Sequence, residues 1–508
     1  MARLRKVFGT DKTLSREWRM GQLEALERMI VTERKQLQQA LFQDLRKNPH
    51  ECDMTELDFT LGEVAHAKAS LDEWMANKPA AVSALAMPGK GELAYDPLGV
   101  VLVMGAWNYP VMLTLAPLVG AIAAGNCVVI KPGSYAPAVS HAMAKMIGKY
   151  MDRDCIVVCE GNRDMTDALL AERFDCIFYT GSGFVGKIVA KAAAEHLCPV
   201  ILELGGKSPC VVDETACLEL AAARLVWGTF LNSGQTCIRP DFLLVHESVA
   251  DKFLQLCKDK LAMMHSTNVQ QSQTFGRIIN LAAFDRLKKI LDESQSEIYL
   301  GGKTDREDKF VEPTMLDYGT DGAKFDHSPA MRDELFGPIL PVLRYKNFES
   351  DVIQRVRNLP TGKPLALYVF TENPKVVEQI TTRTSCGGMC VNDTLLHIAN
   401  SDLPFGGVGP SGMGSYHGFR SFKSFSHEKA VLTKYSWVDE NPAVKWALDA
   451  RYPPHTPDRM TLLGLITNHR VEAVNLFLQK NTKFQVMAVF TLLALVLRKL
   501  GFYIAFQG

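Results

Sequence analysis

The chain has 508 residues, too many for one simple hydrophobic core, so two or three domains are expected. With 47% hydrophobic residues it reads as globular rather than disordered. Its 56 basic and 56 acidic residues cancel, leaving no global field to draw it to nucleic acid, and none is expected as a partner.

The N-terminus reads MARLRK, and no apolar stretch of a secretory signal follows it. Helix is predicted from about residue 14 to residue 78. Apolar residues recur at three- and four-residue steps within 20–45, and Ser15 stands where a cap belongs. Pro79 and the Ala/Gly/Pro-containing stretch to Pro97 break that pattern. Residues 99–104, GVVLVM, suit a buried parallel strand that runs into a turn containing Asn108. A helix to Ala124 follows, then strands at 127–130, 154–159 and 175–179, the later ones each after a helical segment. Such alternation predicts an α/β fold, a doubly wound parallel sheet with helices on both faces. Cys155 and Cys159 bracket an apolar run and read as packed strand residues.

Tyr179 leads into a loop in which Gly181, Gly183 and Gly186 spell G-x-G-x-x-G literally. The acidic ribose ligand of that fingerprint would then fall near Glu203. After Ser208 a second α/β block begins and runs to about Asn392, expected to face the first across a cleft. Residues 405–414, FGGVGPSGMG, read as a tight glycine-rich loop. Twelve cysteines lack the rhythm of a small disulfide-bonded domain and argue for a reducing compartment. Cys386 and Cys390 form a C-x3-C pair, but no second Cys or His pair is spaced to complete a metal site, so none is expected.

Three residues hold the parts needed for covalent chemistry on a carbonyl. Cys237, in LNSGQTC, offers a thiol as nucleophile. Asn108, in GAWNYP, offers an amide to an oxyanion. Glu203, in LELGGKS, offers a base to activate water. By residue type alone each has a commonplace alternative: a buried structural thiol, an ion-paired carboxylate, and a turn residue before Tyr109-Pro110.

The motifs WNYP, VIKP, FYTGS, LELGGKSP, GQTC, ELFGP, PFGGVG and SGMG occur in one order that resembles the aldehyde dehydrogenase superfamily, most closely its class 3, fatty-aldehyde branch, from about residue 14 to 454. The resemblance implies a Rossmann-type cofactor domain at 1–204 and a catalytic domain at 205–398. A glycine-rich return and oligomerisation or substrate-mouth segment would follow at 399–454, then a helical segment with a hydrophobic anchor at 455–508. It implies NAD or NADP as cofactor and Cys237, Glu203 and Asn108 as the catalytic set. Cofactor contacts would come from Lys131, Ser134, Gly181, Ser182, Gly186, Glu334 and Phe336. Glu203 is thereby assigned to chemistry rather than to ribose. His417 and His427 are assigned to structure.

One position departs from the family pattern. The strand-end motif normally continues with Ser and then Glu, whose carboxylate grips the ribose hydroxyls. Here it reads Lys131-Pro132-Gly133-Ser134. Ser134 would remove the repulsion of a 2′-phosphate, so appreciable use of NADP is expected.

The longest apolar run, residues 486–497, spans 12 positions and is followed by Arg498 and Lys499 and then by apolar residues 500–506. That is shorter than the roughly 20 residues a membrane-spanning helix needs. A monotopic or tail-type anchor is expected, with a buried core helix as the alternative. The sequence thus reads as an NAD(P)-dependent dehydrogenase of medium- to long-chain aliphatic aldehydes. A homodimer is expected, held at the cytosolic face of a membrane such as the endoplasmic reticulum, or otherwise cytoplasmic. The alternatives are an enzyme for short or aromatic aldehydes and a catalytically silent member of the fold.

Overall fold

A computed structural model describes residues 1–83, 86–436, 440, 442, 445, 449–458 and 460. The chain divides into two compact units. One holds Met1–Trp74 and Pro97–Ser426; the other holds Met75–Asp96 and the chain from His427 onward.

The first unit opens with helix Ala2–Phe8, followed by the longer helices Arg16–Thr32, Arg34–Leu45 and Asp58–Met75. Ser15 caps Arg16–Thr32, its hydroxyl accepting from the Trp18 N–H at 3.1 Å. Helix Met112–Ala123 is buried along its whole length and packs against Arg16–Thr32, where Arg19 donates to the Ala123 carbonyl at 2.9 Å. An all-apolar helix of this kind has to be enclosed on every side.

Two sheets make up the rest. In the first, six strands run in the order Gly412–Met413, Val200–Glu203, Cys176–Thr180, Val100–Met104, Cys127–Lys131, Ile156–Val158. All pairs are parallel except the outermost, where Gly412 lies opposite Glu203 and Met413 opposite Leu202. The strand expected at 154–159 is shorter than its apolar run. Asp152 turns the chain first, its carbonyl accepting from the N–H groups of Cys155 and Ile156, and the strand is confined to Ile156–Val158, with the Cys155 carbonyl and the Cys159 N–H each adding one bond to the neighbouring strand at its ends. Cys155 is buried and Cys159 half-buried.

In the second sheet seven strands run Ile298–Leu300, Thr314–Asp317, Ile339–Tyr345, Phe242–His246, Pro209–Val212, Ala366–Phe370, Gly388–Val391. The first pairs antiparallel with its neighbour, and the others are parallel. Continuous runs of Val, Leu, Ile and Phe make these central strands buried on both faces. Residues 204–208 carry the chain from Val200–Glu203 of one sheet straight into Pro209–Val212 of the other, so the carboxyl end of one sheet lies beside the start of the next.

In the second unit, Lys78–Ala80, Gly89–Pro97 and Ser426–Lys434 form a three-stranded sheet. The apolar run at 486–506 lies outside the described residues. Among the described residues no helix is long and apolar enough to cross a membrane.

Candidate active site

Each predicted site residue of the first sheet stands at or just beyond the carboxyl end of a parallel strand, where open α/β sheets place their ligands. Glu203 ends Val200–Glu203, Lys131 ends Cys127–Lys131, Asn108 follows Val100–Met104, and Gly181-Ser182 follow Cys176–Thr180.

Cys237 is held by a turn of unusual backbone. After helix Leu218–Phe230, three successive residues, Asn232, Ser233 and Gly234, adopt left-handed conformations with φ of +52°, +54° and +71°. The two non-glycine residues each cost roughly 1–2 kcal/mol there. Gly234 is required twice: by its φ, and because a Cβ at that position would strike the Gly337 carbonyl. The thiol-bearing turn is thus wedged onto the segment that carries Glu334 and Phe336.

Asn108 is buried against the same turn. Its side-chain N–H donates to the Gln235 carbonyl at 3.0 Å, and its own carbonyl accepts from the Asn232 amide at 2.8 Å. Gln235 is fixed in turn, donating to the Asn232 and Arg277 carbonyls and accepting from the Ile279 N–H at 2.9 Å. One N–H of the Asn108 amide is used in this lattice, which leaves the second for a ligand oxygen.

Glu203 is 2% exposed, and neither of its carboxyl oxygens has a hydrogen-bond partner. Burial alone pushes its pKa well above the usual carboxylate range. Glu334 lies against Gly205, where a Cβ would collide with its carboxyl group. Burial, with Asp241 adding, pushes Glu334 up to about 8. The Cys237 thiol is pushed up as well, by burial first and then by Glu334 and Glu203. The N–H groups of Cys237 and Ile238 act the other way. The resting site therefore holds a protonated thiol between two carboxyl groups biased to their neutral forms.

The segment bearing Glu334 and Phe336 is pinned from beneath. Buried Lys207 pairs with Asp241 and donates to the Ala330 carbonyl at 2.8 Å and the Asp333 carbonyl at 3.0 Å. Asp241 accepts from the Leu335 N–H at 3.1 Å and from Arg239 at 2.7 Å. Phe336 has a φ of +47°, and its ring meets that of Trp107 edge-on at 5.4 Å, which joins this segment to the Asn108 turn.

A nicotinamide dinucleotide carries two phosphates and two ribose rings, and the first sheet has matching features. Ser182 caps helix Gly183–Ala194, accepting from the Val185 N–H at 3.4 Å, and a Cβ built on Gly183 would meet only open space. Such a helix start suits a phosphate. Gly186 is closed against Leu204 and so serves helix–strand packing. The buried Thr180 hydroxyl at the strand end has no partner. Lys131 is 6% exposed and burial lowers its pKa; among the described residues its ammonium bonds only to the Pro132 carbonyl, at 3.0 Å. Ser134 is half-buried beside it. The group fits these residues. Among the described residues no cluster of three or more His, Cys, Asp or Glu is placed to hold a metal.

Sequence reasoning passed over Lys47, Glu51 and Glu56 from the N-terminal segment, and Lys207, Asp241 and Arg239 beneath the Glu334 segment. Lys207 lies inside LELGGKS and carried a signal; Lys47 and Glu56 carried none.

The model of the Aldehyde dehydrogenase family matches residues 2–431. The chain is 42% identical over 459 residues to the dimeric NADP-preferring aldehyde dehydrogenase of Rattus norvegicus, covering 90% of this chain and 97% of that protein. It is 41% identical over 459 residues to aldehyde dehydrogenase family 3 member A2 of the same species, covering 90% and 92%. A solved structure described as the substrate-bound state of Staphylococcus aureus AldH superposes with a TM-score of 0.86 at 38% identity, covering 92% of this chain and 98% of that one.

Proposed function

The chain belongs to the aldehyde dehydrogenase family and is an NAD(P)-dependent enzyme, and from that premise we propose that it oxidises medium- to long-chain aliphatic aldehydes to carboxylic acids. The observation that carries the catalytic assignment is the unpartnered, buried Glu203 carboxyl beside the Cys237 thiol, with the Asn108 amide fixed on the same turn.

The thiol releases its proton to solvent and the thiolate sulfur adds to the aldehyde carbon as the carbonyl π bond opens onto oxygen, forming a thiohemiacetal oxyanion. The free N–H of Asn108 and the backbone N–H of Cys237 donate to that oxygen, and they act strongly because the site is buried. Bound NAD(P) supplies the hydride acceptor that lets the adduct become a thioester. Glu203, once ionised, takes a proton from water as the water adds to the thioester carbon; the acid leaves and Cys237 is restored. Lys131, Ser134, Gly181 and Ser182 are assigned to the adenosine and phosphate end, and Glu334 and Phe336 to the nicotinamide end.

The aliphatic substrate is supported by the class 3 resemblance and by exposed apolar side chains. Val391, Leu396 and Leu403 are exposed on the stretch around His397, whose ring lies 6.0 Å from Tyr368. Tyr368 in turn donates to the Ile238 carbonyl beside the nucleophile. A homodimer attached through its C-terminal tail to the cytosolic face of the endoplasmic reticulum membrane completes the proposal.

The test is kcat/KM over a series of straight-chain and aromatic aldehydes with NAD and with NADP. A rise with chain length is expected. A maximum at acetaldehyde or benzaldehyde would move the reading to short or aromatic substrates. No cofactor reduction with any aldehyde would mean a silent member of the fold.

A further inference from the structure

Residues 47–56 place three ionisable side chains, Lys47, Glu51 and Glu56, inside the protein within reach of the active-site turns. The Lys47–Glu56 ion pair is 2.6 Å long with both side chains fully enclosed. Enclosed charges are costly, and such a pair adds little stability over apolar residues of the same size. Its hydrogen bonds show where it acts. The Lys47 ammonium donates to the Asn108 carbonyl at 3.3 Å and stands 4.1 Å from the centre of the Tyr109 ring. The second oxygen of Glu56 accepts from the Val111 N–H at 2.8 Å and the Met112 N–H at 3.4 Å, at the start of the buried helix that follows the Asn108 turn. Tyr109 reaches the other way, its hydroxyl 2.6 Å from that of Thr236. Glu51 is buried as well, and one of its carboxyl oxygens has no hydrogen-bond partner. One short segment therefore grips the Asn108 turn, and the Asn108 and Tyr109 side chains bond in turn to Gln235 and Thr236, so that the two donors, the Asn108 amide and the Cys237 N–H, can converge on a single oxygen.

We propose that Lys47 is a positioning residue for the oxyanion site, fixing the Asn108 backbone so that the free amide N–H points at the reacting carbonyl oxygen, with Glu56 holding Lys47 in place. The proposal rests on the assignment of Asn108 as an oxyanion donor. A misplacement of that donor by less than 1 Å weakens a bond that matters most in the transition state. The loss therefore falls on kcat rather than on KM.

The experiment is a double-mutant cycle on the full-length enzyme, read as the pre-steady-state rate of cofactor reduction with a saturating aliphatic aldehyde. Asn108→Ala alone is expected to slow that rate by about 10²–10³-fold. Lys47→Met alone is expected to slow it at least tenfold with KM within a factor of about three. Added to Asn108→Ala, Lys47→Met is expected to cost less than a further twofold, since the donor it positions is already gone. If Lys47→Met does not fold because Glu56 is left charged and unpaired, the cycle is run with Lys47→Met/Glu56→Gln in its place. The glutamine keeps an acceptor for Val111 without the charge. Losses that multiply in the combined variant, or a normal rate with Lys47 replaced while Asn108→Ala is impaired, would overturn the positioning role. A normal rate in Asn108→Ala would instead overturn the oxyanion assignment beneath it.

Discussion

Replacing Glu203 by glutamine tests the catalytic reading most directly. The exchange keeps the shape of the side chain and removes its capacity to take a proton. Neither carboxyl oxygen is bonded in the folded protein, so no partner is stranded. Loss of a general base typically costs 10²–10⁴-fold, and here it falls on hydrolysis of the thioester. Stopped-flow mixing with aldehyde and NAD(P) should give a burst of reduced cofactor close to one per active site, followed by turnover slower by about that factor. In the wild type, turnover should rise with pH through the elevated pKa of Glu203, and the variant should lose that limb. Stability supplies a second readout. Because the folded pKa is raised, the unfolded chain ionises first, from its ordinary value of about 4.3, and binds fewer protons above that pH. The carboxyl therefore costs the folded wild type nothing below that value. It then costs about 1.4 kcal/mol for each pH unit up to the folded pKa. Glu203→Gln lacks this cost, so it should equal the wild type in acid and exceed it at neutral and alkaline pH. Equal loss of burst and turnover would refute the hydrolytic role and move Glu203 to thiol activation.

Cys237→Ala should abolish turnover while cofactor binding, followed by quenching of protein fluorescence, stays within a few-fold of wild type; surviving turnover would exclude the thiol as nucleophile. Ser134→Glu should lower kcat/KM for NADP and shift preference to NAD through repulsion of the 2′-phosphate, and an unchanged cofactor ratio would show that Ser134 does not face the ribose. Ser233→Gly should relieve a left-handed residue with an unpartnered buried hydroxyl, lengthening the half-life at elevated temperature by an amount worth up to about 1 kcal/mol after the entropy of glycine is counted. A shorter half-life would mean that the serine Cβ packing outweighs the strain. Truncation before residue 484 should release the enzyme from membranes in a sedimentation assay; persistent association would place the attachment elsewhere.

The parts of this site that were legible in sequence are those fixed by local chemistry. Asn108, Glu203 and Cys237 lie in motifs at strand ends and beside a glycine, and the structure bonds the Asn108 amide to the turn that carries Cys237. Parallel strands announced themselves as apolar runs, although Asp152 shortened one of them by turning the chain before Ile156. The supporting ion pairs were not legible. A lysine and a glutamate nine positions apart in a charged helical stretch look like a solvated face; only tertiary packing encloses Lys47 and Glu56 and brings the first to Asn108. The left-handed Asn232 and Ser233 were equally hidden, since neither residue type demands that conformation and the surrounding hydrogen bonds impose it.

The outermost pair of the first sheet bears on how the polypeptide matures. Val200–Glu203 is covered on one side only by Gly412–Met413, a partner that lies about two hundred residues farther along the chain. A ribosome adding about 5–20 residues per second leaves that edge bare for roughly 10–40 seconds. During that interval the strand ending in Glu203 presents open backbone groups to any other extended chain. Nascent protein stalled or cleaved before the glycine-rich return should therefore be the aggregation-prone and chaperone-bound form. Completion of that return, more than formation of either sheet alone, marks the point at which this edge is sealed.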